Sequence, residues 1–169
     1  MPAFLKLLQY WLPPLLWMYL IFSGSGDGQS YQHSSSFVEP FLHWLFPAMP
    51  LPQIQTIHYL VRKGAHMAEY ALLAGLLWRA IRQTSPTRPR PWIWGEAGLA
   101  LGLVFLYAAS DELHQTFIPG RTGQASDVAV DVAGAAVGLA LLWAGKRLTL
   151  KRNIQIYRKA AEIADSRKE

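Results

Sequence analysis

The sequence predicts an all-α integral membrane protein, a bundle of four spanning helices with both termini in the cytoplasm. Two observations predict this class. Charged residues are absent from long apolar segments, and lysine and arginine are distributed unevenly among the segments that connect them. The chain contains no cysteine, which excludes disulfide bonds and thiolate chemistry. We expect a transmembrane domain over residues 1–145 and a basic tail over residues 146–169.

The apolar segments are long enough to cross a hydrocarbon core as helices, and they cover residues 4–22, 57–78, 97–117 and 125–144. A helix over the first segment is about 28 Å long at about 1.5 Å per residue, close to the thickness of that core. We expect Pro13 and Pro14 to kink it, which neighbouring helices accommodate. A cleaved signal peptide is the alternative for this segment, and the lack of a clear small-residue cleavage motif disfavours it.

The connecting segments differ in composition. Residues 23–36 are rich in serine and glycine and predict a flexible connection. Residues 37–52 are aromatic and interrupted by proline, which is typical of a short helix or re-entrant turn at the membrane interface. Residues 79–94 form a loop with four arginines and three prolines. The tail over 146–169 predicts a basic helix that lies in the cytoplasm and rests partly on anionic headgroups.

The distribution of basic residues predicts the orientation. Thirteen of the sixteen lysines and arginines fall on one side of the predicted bundle, and the first connection, residues 23–56, contains none. The positive-inside rule therefore places both termini in the cytoplasm. Because the basic residues flank apolar spans, the net charge of +5 indicates contact with a lipid bilayer and not with nucleic acid.

With this orientation, three spans place polar residues at one depth, just below the outer surface. Such groups are expensive in lipid and are usually retained for function, so we expect them to converge in the bundle interior or in a vestibule open to the outside. The last span adds Gly134 and Gly138, a small-residue pair on the same face that lets another helix approach closely. The polar residues are Arg62, Lys63, His66, Glu69 and Tyr70 of the second span, Asp111, Glu112, His114 and Gln115 of the third, and Asp127 and Asp131 of the fourth.

These residues also carry a family resemblance. Their patterns read Lys63-x-x-His66-x-x-Glu69-Tyr70, then Ser110-Asp111-Glu112-x-His114-Gln115-x-Phe117-x-Pro119-Gly120-Arg121, then Asp127 and Gly134. Over residues 57–145 the chain resembles the VanZ-like family, which is named for a teicoplanin-resistance protein. The resemblance implies a small multi-pass protein of the bacterial plasma membrane that acts at the cell envelope, with resistance to teicoplanin as one expected phenotype.

Several kinds of chemistry fit the polar residues. Paired carboxylates beside a histidine suit general acid–base catalysis on a lipid-linked substrate, which makes Glu69, Asp111, Glu112 and His114 the candidate catalytic residues. Cations near the outer surface suit an anionic headgroup or a lipid- or wall-linked glycan, with the remaining polar residues around them. The candidate binding residues are Arg62, Lys63, His66, Tyr70, Gln115, Arg121, Asp127 and Asp131.

Three further hypotheses compete with these. The histidine and carboxylate side chains of this set are ligand types that suit a divalent metal. No H-E-x-x-H motif is present, however, and a metal is not favoured. An ion-pair network that holds the helices in register would need no ligand, with Lys63 and Arg62 paired to acidic residues of the other spans. A proton-coupled carrier needs polar groups that continue inward, and the inner halves of spans two to four carry no charge.

Overall fold

The computed structural model describes residues 3–25, 30–83, 91–119 and 123–166, and these residues form five helices. In chain order the helices are α1 (Ala3–Ser25), α2 (Ser30–Leu45), α3 (Leu51–Arg82), α4 (Trp94–Gln115) and α5 (Ala125–Ser166). The predicted all-α class is confirmed. Each of the four predicted apolar segments corresponds to one helix, and α2 is an additional helix between the first two of them.

Helix α3 lies at the centre of the bundle and contacts each of the other four helices. It begins after Pro50 and carries Pro52 in its first turn, where a missing N–H removes no hydrogen bond within the helix. It ends at Arg82, and the capping residue Gln83 has a left-handed backbone (φ 44°) and donates its N–H to the carbonyl oxygens of Arg79 and Ala80. Proline at the start and a left-handed residue at the end therefore define where this central helix begins and ends.

Helix α5 runs parallel to α3 and approaches it closely at two glycines. A Cβ atom on Gly134 would lie 2.6 Å from the Cα atom of Met67, and one on Gly138 would lie 2.9 Å from the Cα atom of Ala71. Real Cβ atoms essentially never come this close to other atoms. The small-residue pair that the sequence places on one face of the last span therefore forms the contact with α3.

The bundle interior between its ends is apolar, and much of it is alanine, which allows the helices to lie close together. The buried residues are Tyr70, Leu73, Ala74 and Leu77 of α3, Ala100, Val104 and Ala108 of α4, and Ala135 and Leu139 of α5.

Side-chain contacts show that α1, α3, α4 and α5 alternate in direction. At one end, Tyr10 near the start of α1 stacks under the guanidinium of Arg79 at the end of α3, with 5.2 Å from the guanidinium carbon to the ring centre. At the other end, Ser25 in the last turn of α1 is hydrogen-bonded to Asp111 near the end of α4. This is the up-and-down order of a four-helix bundle.

The two ends of the bundle differ in chemistry. The acidic end holds Asp111, Glu112, Asp127 and Asp131. The opposite end, which we call the tryptophan end, holds four tryptophans around a buried ion pair, and Arg82 Nη1 lies 3.0 Å from Glu96 Oε2. Arg82 also donates a hydrogen bond from Nη2 to the Pro91 carbonyl oxygen at 2.9 Å, which fixes the chain where it enters α4. The four tryptophans are Trp78, Trp92, Trp94 and Trp143.

The prediction of a flexible connection over residues 23–36 is wrong within the described part of that segment, because residues 23–25 belong to α1 and residues 30–36 belong to α2. Serine favours caps and turns over helix interiors. Here α2 packs on the first half of α3, and Ser34 Oγ accepts a hydrogen bond from Arg62 Nη1 at 2.9 Å. Tertiary packing thereby outweighs the low helix propensity of the segment. The short helix expected within residues 37–52 is present as the second half of α2.

The helix predicted for the tail over residues 146–169 is present as far as Ser166, and it is continuous with the helix of the fourth predicted span. Helix α5 continues from Ala125 to Ser166 without interruption. Gly145 does not end it, because a glycine inside a helix costs only about 1 kcal/mol and the residues on both sides are good helix formers. The basic residues that follow the fourth predicted span therefore extend α5 beyond the bundle instead of starting a second element.

Within the described residues, one helical segment, Ala125–Arg158, is long and apolar enough to cross a membrane by length and composition, with a mean hydropathy of 1.9 over a stretch of 18 residues. The four-span topology and the cytoplasmic location of both termini stay predictions. The alternating directions of α1, α3, α4 and α5 are compatible with them.

The topology prediction has a direct test, because the chain has no native cysteine. Ser36 on α2 and Arg152 on α5 are exposed and lie on opposite sides of the predicted membrane. We expect the Ser36→Cys variant to react with a membrane-impermeant maleimide added to intact cells. The Arg152→Cys variant should react only after the membrane is permeabilised. The reverse pattern would invert the orientation, and labelling of both variants in intact cells would exclude the four-span topology.

Candidate functional site

At the acidic end, α3 presents polar residues to two different sides of the bundle. Arg62, His66 and Glu69 share one face of α3, as their helical spacing predicts. In the structure this face is directed toward α1 and α2. Lys63 faces α5, where its Nζ atom lies 2.5 Å from Oδ1 of Asp127. The polar residues expected to converge on one site are thus divided by α3 into a pocket and an acidic cluster.

The pocket lies between α1, α2 and α3 and has a volume of about 370 Å³. One wall is apolar and comes from α1, and the other is polar and comes mostly from α3. Its lining residues are Trp17, Leu20, Ile21, Gly24 and Ser25 of α1, Ser34 of α2, and Arg62, Ala65, His66 and Glu69 of α3.

Hydrogen bonds hold the polar wall in place. Ser34 Oγ accepts from Arg62 Nη1 at 2.9 Å and lies 3.0 Å from Nε2 of the buried His58. His66 Nδ1 lies 3.7 Å from Glu69 Oε2, one turn away on the same helix. The Trp17 indole donates a hydrogen bond to the Glu69 carbonyl oxygen at 2.9 Å and thereby joins α1 to the same turn of α3. The positions of these charged groups are therefore set by three helices together.

Ser25 connects the pocket with the acidic cluster. Ser25 lines the pocket, and its hydroxyl donates a hydrogen bond to Asp111 Oδ1 at 2.5 Å. Gln115 Nε2 donates to the other carboxylate oxygen of Asp111 at 3.2 Å. Only 4% of Ser25 and 2% of Asp111 are exposed. The Asp111 carboxylate thus lies directly behind the pocket wall.

The acidic cluster consists of Asp111, Glu112, Asp127 and Asp131 with Lys63. Glu112 Oε2 accepts a hydrogen bond from the Gln124 N–H at 2.9 Å, so its carboxylate stabilises the start of α5. Asp131 is 4% exposed and lies within electrostatic range of the other three carboxylates and of Lys63. Lys63 acts electrostatically on both Glu112 and Asp131.

Two aromatic contacts complete this end. Tyr70 is fully buried within electrostatic range of Asp111 and Asp131, and its hydroxyl makes no hydrogen bond to another described residue. His114 stacks on Phe22 of α1, with the ring centres 4.1 Å apart. Because His114 packs against α1, it has a structural role whether or not it takes part in a reaction.

Arg121 lies outside the described residues. Within residues 3–25, 30–83, 91–119 and 123–166, no three histidine, aspartate or glutamate side chains come together in a way that could hold a metal ion. Sequence reasoning assigned no role to Ser25 or Ser34, which line the pocket. Only the glycine- and serine-rich composition around them is visible in the sequence, and that pattern does not distinguish a pocket wall from a linker.

Comparison with protein families matches residues 10–148 to the family described as VanZ/LLP1. The matched region includes α1 and therefore both walls of the pocket, whereas the motifs in the sequence begin only in α3. Comparison with curated proteins and with solved structures gives no match. The chain belongs to the VanZ/LLP1 family.

Proposed function

We propose that this VanZ/LLP1 protein is a multi-pass protein of the bacterial plasma membrane that binds the headgroup of an envelope lipid, or of a lipid- or wall-linked glycan, in its outward-facing pocket. The observation that carries this proposal is the division of the pocket into an apolar wall from α1 and a charged wall from α3. Its volume of about 370 Å³ is within the usual range of small-molecule sites, about 300–1,000 Å³.

The apolar wall continues onto the surface of the bundle. Leu20 lines the pocket and is 57% exposed, and Leu16, one turn earlier on α1, is 54% exposed. In a membrane these side chains face lipid. The acyl or isoprenoid chain of a ligand can therefore lie along α1 while the headgroup of the same ligand contacts Arg62 and Glu69.

The placement of the four candidate catalytic residues supports binding over catalysis. Glu69 lies in the pocket, Asp111 lies behind Ser25, Glu112 holds the Gln124 N–H, and His114 stacks on Phe22. Acid–base catalysis needs an acid and a base within reach of one substrate atom. Of these residues, Glu69 alone is a lining residue of the pocket.

The carrier alternative has less support. Between the acidic cluster and the tryptophan end, the described core is apolar, and Leu73, Ala100 and Val104 are fully buried in it. The next buried charged residue toward the tryptophan end is Arg82, which pairs with Glu96. An apolar core of this kind supports a site that opens on one side and not a proton path through the bundle.

The test is whether lipid stays bound to the purified protein. We expect native mass spectrometry of the detergent-purified protein to show one retained lipid or glycolipid. Arg62→Met should lose it, because a hydrogen bond to a charged group contributes about 1.5–3 kcal/mol, or about a 10- to 100-fold change in affinity. Arg152→Met, on the exposed part of α5, is the control and should retain the ligand. Equal retention by wild type and Arg62→Met would contradict the proposal.

Resistance to teicoplanin is the narrower form of the same proposal. If the bound headgroup belongs to a component on which the antibiotic acts, a sensitive strain that expresses the protein should tolerate more teicoplanin than one that expresses Arg62→Met. Equal sensitivity of the two strains would remove the resistance phenotype and leave the binding proposal in place.

A further inference from the structure

The pocket carries opposite charges at two positions on one helix face. Arg62 and Glu69 are seven residues apart on α3 and both line the pocket, so about 10 Å of helix separates them. We infer that the preferred ligand is a zwitterionic headgroup in which a phosphate is joined to a primary ammonium group. This inference rests on the proposed function and specifies its ligand.

The positive part of the pocket suits the phosphate. The Arg62 guanidinium is planar, and its five N–H donors allow it to bind more than one acceptor at a time, of which Ser34 Oγ is one. The hydrogen bond to Ser34 also fixes the direction of the side chain, which reduces the entropy lost when an anion binds. Arginine with a fixed orientation is the usual partner of phosphate oxygens in proteins.

The negative part of the pocket suits the ammonium group. The Glu69 side chain is 42% exposed, and the buried Asp111 carboxylate lies behind the Ser25 hydroxyl. Trp17 lines the pocket together with Glu69, and its indole N–H is hydrogen-bonded to the Glu69 backbone carbonyl oxygen. An aromatic ring is a common partner for cationic nitrogen.

The same two charges disfavour ligands of a single sign. A purely anionic headgroup would be attracted by Arg62 and repelled by Glu69 and Asp111. A purely cationic headgroup would be attracted by Glu69 and Asp111 and repelled by Arg62. A zwitterion satisfies both parts of the pocket, so the arrangement selects against competitors as well as for its ligand.

The experiment is a lipid titration of the purified full-length protein, read by native mass spectrometry. The three lipids have matched acyl chains: phosphatidylethanolamine (zwitterionic), phosphatidylglycerol (anionic) and a trimethylammonium-propane lipid (cationic). We expect wild type to bind phosphatidylethanolamine about tenfold more tightly than either other lipid. Glu69→Gln should reverse the order of the first two, because it removes the partner of the ammonium group and the repulsion of the anion. Lys151→Gln, which neutralises an exposed charged side chain on α5 that does not line the pocket, is the control and should keep the wild-type order.

The outcomes separate this inference from the function on which it rests. If wild type binds phosphatidylglycerol as tightly as phosphatidylethanolamine, the zwitterion inference is wrong and the lipid-binding function stands. If no lipid binds more tightly to wild type than to Arg62→Met, the function itself is wrong. The last measurement is competition between phosphatidylethanolamine and soluble glycerophosphoethanolamine, which carries the headgroup without acyl chains. If the soluble compound displaces the lipid, the protein recognises the headgroup. If it does not displace the lipid at any concentration, headgroup recognition is wrong.

Discussion

Gly134→Leu is expected to abolish the folded protein. A Cβ atom at this position would lie 2.6 Å from the Cα atom and 2.9 Å from the carbonyl carbon of Met67, and a backbone atom cannot move aside as a side chain can. The rest of the leucine side chain would have to displace α5 from α3 along their whole contact. Overpacking of well-packed cores typically costs about 1–3 kcal/mol, and we expect more than about 3 kcal/mol here because the obstacle is backbone. The measurement is the yield of monodisperse protein in detergent together with its thermal unfolding.

The same helix offers a matched control. A Cβ atom on Gly145 would have no atom within 4 Å, so Gly145→Leu makes the same chemical change in open space. It should give wild-type yield and an unfolding temperature at or slightly above that of wild type, since leucine is the better helix former. A monodisperse Gly134→Leu protein with wild-type stability would show that α3 and α5 do not pack as described.

The packed face of α5, which in the structure contacts α3, is the part of the fold that the sequence predicts best. Gly134 and Gly138 lie on the face that also carries Asp127, so the spacing predicts that the acidic residues of the last span face another helix and not lipid. The observed pair of Lys63 with Asp127 follows from the same face. Both features depend only on helical periodicity, which is local and therefore readable from the sequence.

The division of the polar residues into two sites was not predictable in this way. Periodicity places Arg62, His66 and Glu69 on one face of α3, but it does not say which helix covers that face. The answer depends on α1, where Trp17 contacts Glu69 of α3 and Ser25 contacts Asp111 of α4, and these two residues of α1 have no distinctive spacing. The sequence predicts which residues share a face of a helix. Which neighbouring helix packs on that face depends on the packing of the whole bundle.

The helical state of residues 30–36 and the continuity of α5 through Gly145 were missed for a different reason. Composition predicts local preference, and serine-rich or glycine-containing segments have low helix propensity. Contacts of Ser34 with α3 stabilise the first segment, and cooperative extension from a long helix stabilises the second. Neither effect is visible in a short window of sequence.

Lys63→Met is the second change for which we expect a large effect. Lys63 pairs with Asp127 and lies within electrostatic range of Glu112 and Asp131, which are 8% and 4% exposed. Removing it takes away a cation that acts on buried carboxylates. Loss of one partner of a fully buried ion pair typically costs about 3–5 kcal/mol, and the cost is smaller here because the Lys63 and Asp127 side chains are 22% and 34% exposed. We expect a loss of about 1–3 kcal/mol, which for a chain of this size lowers the unfolding temperature by roughly 2–12 °C, measured in detergent or in lipid nanodiscs.

The double variant Lys63→Met/Asp127→Asn shows whether charge is the cause. If the carboxylates are destabilised by the missing cation, neutralising Asp127 removes part of the mutual repulsion, and the double variant should be more stable than Lys63→Met alone. A coupling free energy of about 1 kcal/mol or more is the expected result. Lys151→Met, on the exposed part of α5, should leave the unfolding temperature unchanged. If Lys63→Met and the double variant unfold at the same temperature, the role of Lys63 lies in the packing of its aliphatic chain, and the acidic cluster is balanced by other groups.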